Sequence, residues 1–451
     1  MKMISQLAKL GLFDARVPRY TSYPTAPHFD EGVGPAQFVD WISEIPEGGQ
    51  VSLYIHVPFC RRLCWFCACR TQGTQSGEPV AAYLKTLKDE LALLKAVLPA
   101  DVSLSRLHWG GGTPTLLTPE MMTELAAAVA DVAPFAEDYE FSVEIDPNEI
   151  DEARVAALAS AGMNRASIGV QDFDPDIQKT IGRIQSFDVT KGAADMLRAA
   201  GIRSLNADIL FGLPNQSRER MTESVQKLLS LSPDRVALYG YAHVPWMARR
   251  QTMIPSDELP TPEERLALFD TARRLFMWDG YREIGIDHFA RPDDGLSTAL
   301  DAGRLRRNFQ GYTDDTSDVL IGVGASSISK FPQGFAQNAP STGKHTGEIR
   351  RGQFSVSRGH AFTGEDLLRA RLIEALMCEF RIDTDEIISA FGIAKPELQT
   401  MFQEAERAFP GMVKLTDDGL FVPQEARPLT RMIARVFDAY DLSKAGHSSA
   451  I

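Results

Sequence analysis

From about residue 50 the chain alternates two patterns, and this alternation limits it to few architectures. Short β-rich runs end in Gly, Pro or polar residues: 51–57 (VSLYIHV), 104–110, 140–145 (EFSVEI), 165–171 (RASIGVQ), 204–211 (SLNADILF), 235–241 (RVALYGY) and a weaker 282–288 (REIGIDH). Longer segments with helical spacing lie at 81–97, 119–130, 151–161, 189–200, 219–229 and 262–277. In the first of these, Leu84, Leu87, Leu91 and Leu94 make one apolar stripe. Repeated βα units with mostly uncharged strands predict an α/β fold with a parallel sheet covered by helices. Six or seven units fit an open or partial TIM-like barrel, with a doubly wound sheet as the alternative. Either way, chemistry collects at the carboxyl ends of the strands.

The 451 residues, 44% of them hydrophobic, are ample for one large domain and a smaller one. After about residue 360 the pattern changes. Thr363 is a plausible N-cap, Leu368, Leu372, Ala375 and Leu376 share a face, MVKLTDDGLFVP reads as a hairpin turning at Asp418-Gly419, and a second helix is expected near 429–440. The expected division is an N-terminal strap and lead-in (1–49), a βα barrel (50–332), a Gly- and Ser-rich linker (333–360) and a small, mainly helical C-terminal domain (361–451). The formal charge of -13 excludes a basic footprint for nucleic acid or anionic lipid at whole-chain level. An anionic ligand must then be met by a local cluster of Arg and Lys. No apolar run reaches the length of a membrane span. The first twenty residues, interrupted by Lys9 and Asp14, do not read as a signal peptide, so a cytoplasmic protein is expected.

Four of the five cysteines fall within ten residues, Cys60, Cys64, Cys67 and Cys69, directly after the first β-rich run; Cys378 is more than 300 residues away. Three thiolates spaced in this way can converge from one loop. A [4Fe–4S] cluster normally takes four cysteine ligands, and with three it keeps one iron open to a small molecule. Structural zinc is the bland alternative, but it usually takes two C-x2-4-C pairs separated by a longer stretch. A plain electron-transfer cluster would need a distant fourth ligand, and Cys378, on an apolar helix, reads as a buried core thiol.

C-x3-C-x2-C after the first strand of a βα barrel resembles the signature of the radical S-adenosylmethionine superfamily. The additional Cys69 makes the chain similar to the oxygen-independent coproporphyrinogen III oxidases (dehydrogenases) of that superfamily. The likeness runs through PRYTSYPT (18–25), HWGGGTPT (108–115), VEIDP (143–147), GVQDF (169–173), FGLP (211–214), YAH (241–243), DHFARPDD (287–294) and NFQGYT (308–313). Two positions depart from the family pattern: Val17 stands where Gly is usual, and Arg306 where His is usual.

The resemblance implies a partial (β/α)6 radical-SAM barrel with Cys60, Cys64 and Cys67 on the cluster. It places Tyr54, Phe66, Gly111, Glu144 and Ile328 on the S-adenosylmethionine bound there. A carboxylate at Glu144 suits a cationic amino group, although by pattern alone Glu144 reads equally as a strand-end solvent residue. A second S-adenosylmethionine is implied at Gly112, Thr113, Gln171, Arg183, Asp208 and Ala242; a barrel-rim ion pair is the bland reading of Asp208 and Arg183. Cys69, His56, Phe309 and Gln310 are the residues implied in activity. A lone strand His, however, is more often a packed residue, and Cys69 is not expected to bind iron. The PRYTSYPT segment reads as a docking strap or a disordered lead, and Tyr20 and Tyr23 favour packing. In the family it covers the active site, so Arg19 becomes a candidate for a substrate propionate, along with Arg61, Arg62, Arg70, Arg291 and Arg307.

The implied reaction is oxidative decarboxylation of two propionates of coproporphyrinogen III to vinyl groups, giving protoporphyrinogen IX. A 5′-deoxyadenosyl radical shielded from water would start it. A reduced flavodoxin or ferredoxin is the implied electron donor, and a monomer is expected. A haem chaperone of the same superfamily, or a radical methyltransferase that opens haem, are the rival readings.

Overall fold

Alternation along each strand builds the barrel. On β1 (Gln50–Val57), Val51, Leu53, Ile55 and Val57 are buried. Ser52, Tyr54 and His56 therefore point to the opposite face. The same alternation runs through β2 (Ser103–Gly111), β3 (Phe135–Ile145), β4 (Arg165–Gln171) and β5 (Ser204–Phe211). Their polar residues, among them His108, Glu144, Ser167 and Asp208, line an internal cavity of about 200 Å³. Burial of each Leu or Ile on the opposite face contributes roughly 1.5–3 kcal/mol. The computed structural model describes residues 2–441 and 448–451.

The strands pair in parallel and in chain order from β1 to β6 (Arg235–Gly240). A doubly wound sheet would reverse its order at a switch point; this one does not, and the partial barrel is the fold. The covering helices are α1 (Glu78–Val97), α2 (Pro119–Val132), α3 (Glu152–Ser160), α4 (Phe187–Ala199), α5 (Arg218–Ser230) and α6 (Pro262–Trp278). Thr118, Asp151, Ser186, Ser217 and Thr261 cap the last five, each side chain accepting a backbone N–H. Each cap is worth about 1 kcal/mol.

Three expectations change. The weak seventh β-rich run is two short strands, β7 (Arg282–Ile284) and β8 (His288–Ala290), with β8 antiparallel to β6. The turn at Gly285 between them prevents a full strand. On the other edge, β9 (Leu320–Val323) pairs in parallel with β1; four residues were too short a run to read as a strand. The third concerns 333–360, expected as a linker. It carries β11 (Gly334–Asn338), a helix at Thr342–Arg350 and β12 (Val356–Ala361), which with β10 (Ile328–Phe331) extend the sheet to twelve strands. Its glycines serve close packing. A Cβ on Gly334 would lie 2.1 Å from the His360 carbonyl oxygen and 2.9 Å from Trp41, and one on Gly359 2.7 Å from Val33.

Among the described residues, 361–451 contain α7 (Asp366–Glu379), two further helices, a three-stranded sheet that includes the expected hairpin, and short closing helical turns, Thr430–Ala434 and Arg435–Phe437, where one helix near 429–440 was expected. The hairpin turns at Asp417-Asp418, one residue earlier than expected, because Gly419 pairs with Thr416. A Cβ on Gly419 would meet the Ile382 carbonyl oxygen at 2.0 Å. Leu372, Leu376, Phe402, Leu429, Ile433 and Phe437 form a second core, which also takes Leu7 and Leu12 from the lead-in. Pro35–Ser43 of the lead-in is a helix whose Phe38, Trp41 and Ile42 join the barrel core instead. Cys378 is fully buried on α7. Among the described residues no helix is long and apolar enough to cross a membrane.

Candidate active site

The cysteine loop is held from below, from its base and from above. Below, the Gly112 N–H donates to the Val57 carbonyl (2.8 Å) and Thr113 N–H to that of Phe59 (2.7 Å). A Cβ on Gly112 would lie 2.6 Å from the Phe59 carbonyl oxygen, one on Gly110 2.6 Å from Glu144, and one on Gly111, at φ 109°, 2.4 Å from the His56 ring. The glycine run is the condition for this approach. At the base, Phe59–Cys60 pairs with Gln72–Gly73. Above, the Trp65 N–H donates to Ile181 (2.9 Å). Gln251, fully buried, donates to the carbonyls of Phe66 (2.7 Å) and Ala242 (3.1 Å) and accepts from the Val244 N–H (2.6 Å). Arg250 donates to Thr71. The sequence gives no signal for either residue, because they lie on an irregular loop with no periodicity.

Cys60, Cys64 and Cys67 are half-buried free thiols, and Cys69 is exposed. Burial pushes the Cys60 thiol up to about 11, the Thr113 hydroxyl partly offsetting it, and raises Cys64 as well. Cys67 is biased toward the thiolate because Cys69 donates to its sulfur, through the side chain and through the N–H at 3.4 Å. Arg183 donates to Cys64 (3.6 Å) and to the Gly169 carbonyl (2.9 Å), and its Nε is buried without a partner. Half-buried thiols beside cationic neighbours fit an anionic iron–sulfur cluster, since metal coordination deprotonates a thiol outright. Among the described residues no group of three or more His, Cys, Asp and Glu side chains could hold a metal ion as placed. A four-iron cluster instead distributes its thiolates over separate irons.

Glu144, on β3, accepts the Gly111 N–H (3.0 Å) and faces His108 Nε2 (3.4 Å). Enclosure in the barrel alone would raise its carboxyl; His108 and the Gly111 N–H outweigh that and hold it below the usual value. His108 bonds Ser142 and stacks on Tyr54. His56 Nε2 reaches the Arg70 carbonyl (3.3 Å) and its Nδ1 the Tyr54 hydroxyl (2.9 Å). A carbonyl only accepts, so Nε2 carries the proton and the Tyr54 hydroxyl donates to Nδ1. Burial lowers the His56 pKa and keeps the ring neutral.

Arg183 pairs with Asp146 (3.6 Å) rather than Asp208. Gln171 ends β4 at φ 70°, a left-handed strain of the kind found at ligand sites. A Cβ on Gly169 would lie 3.1 Å from its amide and 3.2 Å from the Arg183 guanidinium, so these two side chains meet there. Asp208 accepts from Asn206 (2.8 Å) and is pushed up to about 7 by enclosure. Gln310 lines the same internal cavity as Glu144, Asp208 and Tyr239. Ile328 opens β10, against Gly322, the residue in register with Tyr54. Phe309 stands further out, edge-on to Phe335 at 5.8 Å. Arg291 lies at the wrong end of the barrel: its N–H meets the Asp234 carbonyl, ahead of β6, and its guanidinium pairs with Asp279 (3.2 Å).

Comparison with known proteins gives a consistent set. The Radical SAM superfamily model matches residues 54–228. The oxygen-independent coproporphyrinogen III oxidase of Paracoccus denitrificans is 66% identical over 451 residues, covering 100% of both chains. That of Pseudomonas aeruginosa is 35% identical over 433 residues, covering 95% of this chain and 94% of its own. The solved structure of coproporphyrinogen III oxidase from Escherichia coli, a radical SAM enzyme, superposes with a TM-score of 0.89 at 33% identity, over 95% of this chain and 100% of that one.

Proposed function

This chain belongs to the oxygen-independent coproporphyrinogen III oxidases of the radical SAM superfamily, and from that premise we propose that it converts coproporphyrinogen III to protoporphyrinogen IX by oxidative decarboxylation of two propionates. The observation that carries the reading is the cysteine loop seated on Gly110–Gly112 at the carboxyl end of the barrel, beside an ionised Glu144. Cys60, Cys64 and Cys67 would hold a [4Fe–4S] cluster with one iron open to S-adenosylmethionine. When bound, that pair supplies a hydrogen-abstracting 5′-deoxyadenosyl radical.

The chain's own residues do the rest. Glu144, fixed by the Gly111 N–H, offers a carboxylate to a cationic amino group. Neutral His56 fixes Tyr54, and Tyr54 stacks on His108, so the floor of the site is rigid before ligand arrives. Gly112, Thr113, Gln171, Arg183, Asp208 and Ala242 are proposed to take a second S-adenosylmethionine. Phe66 and Ile328 flank the first. Cys69, an exposed thiol that keeps its proton beside Cys67, and Gln310, inside the barrel, are proposed on the substrate side, with Phe309 behind. The proposal includes a reduced flavodoxin or ferredoxin as donor and a cytoplasmic monomer.

The test is an anaerobic incubation of cluster-reconstituted protein with reductant, S-adenosylmethionine and coproporphyrinogen III. Protoporphyrinogen IX and 5′-deoxyadenosine are expected together. Tight haem binding with neither product would establish the chaperone reading instead, and methylated or ring-opened haem the methyltransferase reading.

A further inference from the structure

The carboxyl ends of β5 and β6 border a second cavity, of about 420 Å³, enclosed by the strap, α6 and the 361–451 region. Among the described residues, seven arginines line it against three side-chain carboxylates, Asp270, Glu283 and Asp287, in a chain whose formal charge is -13. Glu283 is already paired with Arg273 and Arg427. Asp287 is already paired with Arg307 (3.5 Å) and His288 (2.7 Å). Among the described residues, Arg19, Arg265 and Arg431 hydrogen-bond main-chain oxygens and no side-chain carboxylate. Arg19 donates to the Gly240 carbonyl (2.7 Å), Arg265 to those of Tyr241 (2.8 Å) and Gly212 (3.3 Å) and to a main-chain oxygen of Ile451 (3.1 Å), the last residue of the sequence, and Arg431 to the carbonyls of Pro18 (3.0 Å) and Ser449 (3.0 Å). A carbonyl satisfies the hydrogen bond but leaves the charge. Burial, and after it repulsion from Arg19, pulls Arg265 down to about 10; burial, then repulsion from Arg19 and Arg307, pulls Arg431 to about 9 against the attraction of Asp287; burial lowers Arg19 too, although Asp287 attracts it. Seven arginines against three side-chain carboxylates, two of them already paired, leave an excess of positive charge in the cavity, an unfilled demand for anions.

The backbone is shaped around Arg265. A Cβ on Gly212 would lie 2.2 Å from its Nη1 and one on Gly240 3.3 Å from its Nη2. Gly212 is the glycine of FGLP, so that motif is accounted for by admitting a guanidinium. The cavity also adjoins the reactive end: Tyr241 and Ala242 line it, and Gln251 ties the Ala242 carbonyl to Phe66 in the cysteine loop.

We propose that Arg19, Arg265 and Arg431 form the subsite for the substrate carboxylates that are not reacting, holding the macrocycle by its propionate ends while another propionate meets the cysteine loop. This rests on the coproporphyrinogen III reading above. A single carboxylate would leave most of the positive excess in place, so the ligand is a polycarboxylate.

Two probes test the proposal on the reconstituted holoenzyme: coproporphyrin III and its tetramethyl ester, which keeps the ring and removes the charges. By fluorescence titration the wild type is expected to bind the free acid at least about tenfold more tightly than the ester. Arg265→Gln removes most of that preference, with cluster absorbance unchanged. In turnover it raises KM for coproporphyrinogen III about tenfold with kcat held within about twofold, and Arg265→Lys falls between. Equal affinity of the wild type for acid and ester overturns the subsite, whatever the variants do. An unchanged KM in Arg265→Gln overturns it too. A wild type that makes no protoporphyrinogen defeats the substrate reading alone, and the acid-to-ester ratio still decides the subsite.

Discussion

Glu144 and Asp208 are two carboxylates facing one barrel interior, and their surroundings push them apart. Glu144 is held below its ordinary value, whereas Asp208 is raised from 3.8 to about 7 by enclosure and then by the Glu144 charge. An acid with a raised folded pKa binds its proton more tightly when folded. Its contribution to stability is therefore whole below about pH 4 and lost as pH rises toward 7. In cluster-free, ligand-free protein, Asp208→Asn is expected to remove that part of the pH dependence. Urea melts at pH 5 and pH 8 check it: the wild type should lose stability relative to the variant between the two. A parallel loss in both proteins would show that Asp208 is ionised throughout. At this scale legibility was uneven. The cysteines were readable because thiols at that spacing have few uses. Glu144 was equally a solvent residue by pattern, and the structure turns it to the Gly111 N–H. Arg265 and Arg431 gave no signal, because an arginine in a helix ordinarily reads as surface charge.

The alternation of β-rich runs and helices carried the barrel. Six parallel strands and their helices lie where the periodicity placed them, because a parallel sheet buried on one face by helices repeats its pattern without exception. Short and glycine-rich elements escaped, since β9 has four residues and β11 and β12 need glycine where strands pass Trp41 and Val33. The loop carrying Gln251 escaped for a different reason: it has no regular structure except two 3-10 turns, Arg249–Met253 and Ser256–Glu258. Its work is to brace another loop. Gln251→Leu leaves the Phe66 and Ala242 carbonyls and the Val244 N–H unpaired, at roughly 1–3 kcal/mol each where burial is complete. The protein is expected to fold and to retain the barrel's circular dichroism, but to release iron to a chelator several-fold faster after reconstitution. Iron release at the wild-type rate would mean that the cysteine loop does not depend on this brace.

At the scale of the molecule, the two ends of the chain meet at the arginine cavity. The Tyr20 hydroxyl donates to Asp438 (2.9 Å), Tyr23 accepts the Ala439 N–H (3.0 Å), and Arg431 donates to Pro18 (3.0 Å). The lead-in thus ties the second core to the barrel, which its tyrosines suggested but its proline-rich sequence left open. Tyr20→Phe leaves the buried Asp438 carboxylate without its phenol, a loss of roughly 1–3 kcal/mol. Limited proteolysis should then cut within the strap faster than in the wild type, with the barrel intact. All of these features serve one claim: three thiols of the loop hold the cluster and the fourth does not. Iron content and visible absorbance after anaerobic reconstitution of four single variants test it most directly. Cys60→Ser, Cys64→Ser and Cys67→Ser are each expected to lose the cluster, while Cys69→Ser keeps it and fails in turnover. Loss of iron from Cys69→Ser, or a full cluster in any of the other three, would contradict the account.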